Sequence, residues 1–155
     1  MTKVSRIAPT KIRKISGGKD PVKTIEEFLI RRGFESESCL QQKTNQLAQW
    51  LVPLSEEEDL EITLEGLHRP METTLYMGVN VVAVPLRDVQ KVLHAALTVA
   101  DTLIGAKLSL VNYDIVLSVT SYADSLSTEE VDYLFELITR QKSAVYEAIS
   151  EESMM

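Results

Sequence analysis

The sequence predicts an α+β domain in which a mainly antiparallel sheet of five strands packs with three helices. Helical and alternating apolar patterns follow one another in the order α–β–β–β–α–β–β–α. The strands come in runs of three and two joined by short turns, which favours antiparallel pairing over a parallel sheet. With 155 residues and 45% hydrophobic content, the chain suits one domain. We place that domain at residues 20–150, after a basic arm at 1–19 and before a frayed tail at 151–155.

The first helix is predicted from signals at both of its ends. Asp20 is a good N-cap, and Pro21 suits the first helical position, where no N–H is needed. Gly33 suits the left-handed position after the last turn, and Phe34 can then close over Leu29.

Three strands are predicted next, in the segments LAQWLVPL, LEITLEG and TTLYMGVNVVAV. Apolar and polar residues alternate in each of them, as in a half-buried antiparallel strand. Pro53 suggests that the first of these strands lies at an edge or ends there. At an edge a peptide could add, although Trp50 is better explained as a core residue. Gly78 indicates a bulge or a close approach of the backbone.

The central helix is predicted over residues 85–105, PLRDVQKVLHAALTVADTLIG, and it is apolar around most of its circumference. A helix lying on one sheet needs a single apolar stripe, so a second surface must cover the rest. Five residues repeat at four–three–four–three spacing, as expected where one helix packs along another: Val89, Leu93, Ala96, Ala100 and Leu103. We interpret them as a dimer or partner interface.

The remaining apolar residues of this helix are then expected to face the sheet of the same subunit. They are Val92, Leu97, Val99 and Ile104. A helix enclosed between the sheet and another helix of one monomer would show the same pattern, and this alternative stays open.

A hairpin and a capped helix complete the domain. The segments KLSLV and IVLSVTS flank the short turn NYD at residues 112–114. Ser127 and Glu130 form a capping box at the start of the last helix, with Leu126 and Val131 as its hydrophobic staple.

The net charge of −7 conceals two regions of opposite sign. Residues 1–19 carry six basic residues and no acidic one, and the remaining 10 basic and 23 acidic residues give the body a charge of −13. An acidic body repels nucleic acid, so contact with a nucleic acid or another anionic surface would have to come from the arm. The alternative is a solvated tail that folds back on the acidic body.

The sequence offers few groups for catalysis or metal binding. His68 and His94 are the two histidines, and neither has a second ligand at metal-binding spacing. Cys39, the single cysteine, is best explained as a small hydrophobe. We therefore expect no enzymatic activity, no cofactor and no metal. We also expect a cytosolic protein with no membrane contact, because no apolar run is long enough to span a bilayer.

The hairpin, the loop and the capped final helix follow one another in residues 107–138, KLSLVNYDIVLSVTSYADSLSTEEVDYLFELI. Together with the element order, this segment resembles the type III secretion chaperone-like fold, in particular its YbjN-like families, over residues 20–150. The resemblance implies a homodimer whose central helix helps to form the subunit interface and whose remaining surface binds an extended partner segment. We thus predict a non-enzymatic, protein-binding or chaperone-like homodimer with a protein or peptide client. The alternative function is nucleic-acid or anionic-surface binding by the arm.

Overall fold

A computed structural model describes residues 20–154, and the predicted basic arm at 1–19 lies outside them. One antiparallel sheet of six strands is covered on one face by helices, in the strand order β1-β2-β3-β4-β6-β5. The elements, in chain order, are α1 (Pro21–Arg31), α2 (Ser36–Cys39), β1 (Leu40–Lys43), β2 (Leu47–Pro53), β3 (Asp59–Glu65), β4 (Thr74–Ala83), α3 (Val89–Ala100), β5 (Lys107–Val111), β6 (Asp114–Tyr122) and α4 (Thr128–Met154). The predicted α+β class is confirmed.

The predicted count of five strands and three helices is wrong, because α2 and β1 precede the first predicted strand. β1 has one half-buried residue followed by three exposed ones, so its sequence shows no apolar alternation. Its position is set by backbone pairing with β2, where Leu40 lies opposite Trp50. β2 is consequently an internal strand paired on both sides and ends at Pro53, so the predicted strand end is confirmed and the alternative of an edge strand is wrong.

The core lies between the sheet and the helices. Trp50, Ile62, Met77 and Val119 form one row across β2, β3, β4 and β6, and all four are buried. Burying such side chains contributes about 1.5–3 kcal/mol each, so this face of the sheet holds the main stabilising contacts. Trp50 is a core residue, as its alternation with polar neighbours predicts.

The helices form a layer with α4 at its centre. α4 packs on β4 and β6 and contacts both α1 and α3. Both predicted start signals are present: Asp20 Oδ1 accepts from the Val22 N–H at 3.0 Å, and Ser127 and Glu130 exchange hydrogen bonds of 3.0 and 3.1 Å. Gly33 has the predicted positive φ of 85° after α1.

The final helix runs further than the predicted domain end at residue 150. α4 continues to Met154, so the described part of the predicted tail is helical. Lys142 on α4 donates to Glu58 in the loop between β2 and β3, which ties this helix to one end of the sheet.

Helix α3 is shorter than the predicted span of residues 85–105. It begins only after Asp88, whose φ of 60° is left-handed and interrupts the helix toward Pro85. It ends at Ala100, and residues 101–105 form turns. The apolar residues near the two predicted ends, Leu86 and Ile104, therefore lie in loops.

Candidate protein-interaction surfaces

One side of α3 packs within its own chain. Ala95, Ala96 and Val99 are buried where the helix meets α4 and the edge strand β5. Small side chains at these positions let the α3 and α4 backbones approach closely. Val99, the one of these three that was predicted to face the sheet, lies where α3 packs on α4 and on the edge strand β5 of that sheet.

A second side of α3 is apolar and reaches solvent. Val89, Leu93 and Leu97 recur every four residues and therefore follow one side of the helix. Val89 is 38% exposed, Leu93 is half-buried and Leu97 is 73% exposed. We call Val89, Leu93, Leu97 and the half-buried Ala100 the α3 stripe. Leu97 was expected to face its own sheet, and that expectation is wrong.

The five residues predicted as an interface thus do not share one environment. Val89, Leu93 and Ala100 belong to the α3 stripe. Ala96 is only 7% exposed and packs within the chain, and Leu103 is half-buried against the core from the turn after the helix. Sequence spacing identified the apolar residues but not the direction in which each points.

Further exposed apolar residues flank the α3 stripe. Leu86 is 92% exposed and Ile104 is 86% exposed, one on each side of the helix in sequence. Leu110 on β5 is 55% exposed and lies opposite the buried Ile115, so it points to the same side of the sheet as the helices. β5 is the last strand of the described sheet, and its outer edge has no strand neighbour there.

The polar side of α3, the possible metal ligands and the single cysteine were the other candidates for a functional site. His94 and Thr98 are exposed, and the Thr98 hydroxyl donates to the His94 carbonyl oxygen at 2.9 Å. Residues 20–154 contain no group of three or more His, Cys, Asp or Glu side chains placed to hold a metal ion. Burial raises the pKa of the Cys39 thiol, and the charges of Asp59 and Glu35 add to this, so the reactive thiolate is disfavoured.

The opposite, uncovered face of the sheet carries a groove of about 790 Å³. The Tyr76 ring lies along its own strand over Gly78, where a Cβ would be 2.7 Å from the Tyr76 Cζ. Burial and the negative charge of Glu61 raise the pKa of Tyr76, although a hydrogen bond with Ser118 acts in the other direction. Gly78 thus marks a close approach, as predicted, whereas the bulge in β4 lies two residues later, between Asn80 and Val82.

Comparisons with known proteins identify the fold. No family model matches this chain, and no curated protein sequence matches it. One chain of the ExsC–ExsE complex is 12% identical, with a TM-score of 0.55 over 81% of this chain and 90% of that one. One chain of the HopA1–SchA chaperone–effector complex is 11% identical, with a TM-score of 0.55 over 90% and 99%. The fold is type III secretion chaperone-like.

A third structure matches this chaperone-like fold less closely. It is the type III secretion chaperone SycH of Yersinia pestis in complex with a stable fragment of YscM2, and the matching chain is 16% identical. The match covers 81% of this chain and 98% of that one at a TM-score of 0.48. The predicted resemblance to this chaperone-like fold is confirmed, and the narrower likeness to the YbjN-like families stays a prediction.

Proposed function

We propose that the chain is a homodimeric, chaperone-like domain that binds a protein partner and catalyses no reaction. The observation that carries the proposal is the α3 stripe, where Leu97 is 73% exposed beside Val89 and Leu93. Contiguous exposed apolar patches on a protein surface are typical of protein–protein interaction sites.

A second copy of the chain is the occupant that fits the α3 stripe. A two-fold axis brings the same patch of both subunits together, so an apolar stripe is complementary to itself. Lys91 and Thr98 are exposed on the side of the helix away from Val89 and Leu93 and would stay in water. The neighbouring outer edge of β5 would also be shielded, and shielding protects an edge strand from uncontrolled pairing.

The known structures with this fold support the protein partner. Two structures match this chain at a TM-score of 0.55, and both are complexes. SchA and HopA1 form a chaperone–effector complex, and ExsC and ExsE form a complex of two proteins. By analogy, a client would bind to surface left open by the dimer. The cytosolic location predicted from the sequence is part of this proposal. Among residues 20–154, no helix has the length and apolar character needed to cross a membrane.

The dimer is tested by light scattering behind a sizing column. We expect the wild-type chain at about 35 kDa, twice its 17.4 kDa mass. Leu97→Glu should give a folded monomer, because its side chain leaves solvent only in the dimer. Thr98→Glu adds the same charge on the side of the helix away from Val89 and Leu93, and it should leave the dimer intact.

Either of two results would contradict the dimer. One is a wild-type chain that elutes at 17.4 kDa. The other is a Leu97→Glu variant that remains dimeric while Thr98→Glu dissociates, because the interface would then lie on the polar side. Circular dichroism establishes that each variant is folded before its mass is interpreted.

A further inference from the structure

We propose that the groove on the uncovered sheet face is a docking site for the chain's own basic segment, residues 1–19. This inference goes beyond the proposed dimer, since the groove lies on the opposite face of the sheet from α3. A ligand that competes for the groove would then have to displace residues 1–19.

The groove combines acidic, aromatic and apolar side chains. Asp59, Glu61, Tyr76 and Asn80 line it, and Val116, which lies opposite Asn80, adds an apolar side chain. Glu61 accepts from the Thr63 hydroxyl at 2.6 Å, which positions its carboxylate and leaves it further acceptor capacity. A carboxylate beside a tyrosine ring is a suitable environment for a lysine or arginine side chain.

The strand registers extend this negative character across the face. Among the charged residues of the described strands, they place Asp59, Glu61, Glu65 and Asp114 on the uncovered side. Lys107 is the basic residue that they place there. The face therefore carries an excess of negative charge and complements a cation.

Residues 1–19 match this surface in charge and in reach. They hold six basic residues and no acidic one. Nineteen residues span up to about 60 Å when extended, which is enough to pass around the edge of a domain of this size. A segment tethered at Asp20 also reaches the groove at an effective concentration near the millimolar range, ahead of a free cationic peptide.

Disulfide trapping in the full chain tests the assignment. Ser5→Cys, Thr10→Cys and Ser16→Cys leave every basic residue in place, and each is paired in turn with Asn80→Cys in the groove. In the matched control Asn80 is kept, and the second cysteine is Ala144→Cys, at an exposed position on α4. Native Cys39 is 4% exposed. Disulfide formation with Cys39 is measured in the variants that carry only one of the added cysteines. Oxidised glutathione is the oxidant, and the rate of trapping is followed by intact mass.

We expect at least one arm position to pair with Asn80→Cys about ten-fold faster than with Ala144→Cys. Combining Asp59→Asn with Glu61→Gln should slow that reaction about five-fold, and so should raising NaCl to about 0.5 M. Combining Glu151→Gln with Glu152→Gln removes the same charge from the end of α4, and it should not slow the reaction.

Three outcomes would overturn the proposal. The first is an equal rate of disulfide formation with Asn80→Cys and with Ala144→Cys. The basic residues would then be available to another partner, such as a nucleic acid. The second is a disulfide that joins two chains, because the groove would then bind another copy. The third is an unchanged rate after Lys11→Gln, Arg13→Gln and Lys14→Gln are combined. These last substitutions remove three of the positive charges that the proposal assigns to the groove, so they test the charge complementarity directly.

Discussion

The guanidinium of Arg32, at the C-cap of α1, lies 4.7 Å from the centroid of the Phe135 ring on α4. Its Nε donates to Asp132 and its Nη2 to Glu136, both at 2.7 Å. Burial opposes the charged form, but these hydrogen bonds and the two carboxylate charges raise the pKa of Arg32. The Arg32 side chain therefore links the end of α1 to α4, the central helix of the layer.

Replacing Arg32 should weaken the fold more than replacing its neighbour Arg31. We expect Arg32→Ala to lower the free energy of unfolding by about 1–2 kcal/mol, because two charged hydrogen bonds and a ring contact are lost at a half-exposed site. Arg31 pairs with Glu129 at 3.3 Å in a much more exposed setting, so Arg31→Ala should cost less than about 0.5 kcal/mol. Urea unfolding measures both, and equal losses would contradict the anchoring role.

Gly78 and Tyr76 should show a coupled response to mutation. A Cβ at Gly78 would displace the Tyr76 ring, so Gly78→Ala should cost about 1 kcal/mol in the wild-type chain. In a Tyr76→Ala background the obstacle is gone, and Gly78→Ala should instead stabilise by about 0.5 kcal/mol, because alanine suits a strand better than glycine. A double-mutant cycle by urea unfolding measures the difference. The same effect in both backgrounds would show that the ring does not occupy this space in solution.

The Cys39 thiol should make stability fall at alkaline pH. Its pKa is raised in the folded chain by burial, whereas in the unfolded chain it stays near 8.5. Above that pH the folded chain binds more protons than the unfolded chain, so the free energy of unfolding decreases as pH rises. We expect a steeper loss above about pH 8.5 in the wild type than in Cys39→Ala, continuing until the raised folded-state pKa is passed. Parallel curves for the two proteins would show that the thiol titrates normally in the fold.

The features that depend on residues close together in the sequence were predicted correctly. The N-cap at Asp20 and the box of Ser127 and Glu130 each depend on side chains two or three residues from the groups they satisfy. β1 was missed because its residues 40–43 bury almost nothing, and its place is fixed by a pairing that the sequence pattern does not encode.

The candidate interface was predicted only in part, for a related reason. Apolar spacing selected Val89, Leu93 and Ala100 in the α3 stripe, but it placed Leu97 on the wrong side of the helix. The heptad spacing fixes which residues share a side, whereas the position of α4 and β5 decides which side is already covered. Ala96 faces inward for that reason.

Thermal stability should depend on protein concentration if the α3 stripe joins two copies. Unfolding then also separates the subunits, so each tenfold increase in concentration stabilises the folded dimer by about 1.4 kcal/mol. For two chains of this size, that corresponds to a rise in Tm of about 2 °C per tenfold. We expect this rise in the wild type and in Thr98→Glu, and a constant Tm in Leu97→Glu, measured by circular dichroism over a hundredfold concentration range. A constant Tm in all three proteins would mean that the exposed side of Leu97 stays in solvent, and that the partner of α3 is not a second copy.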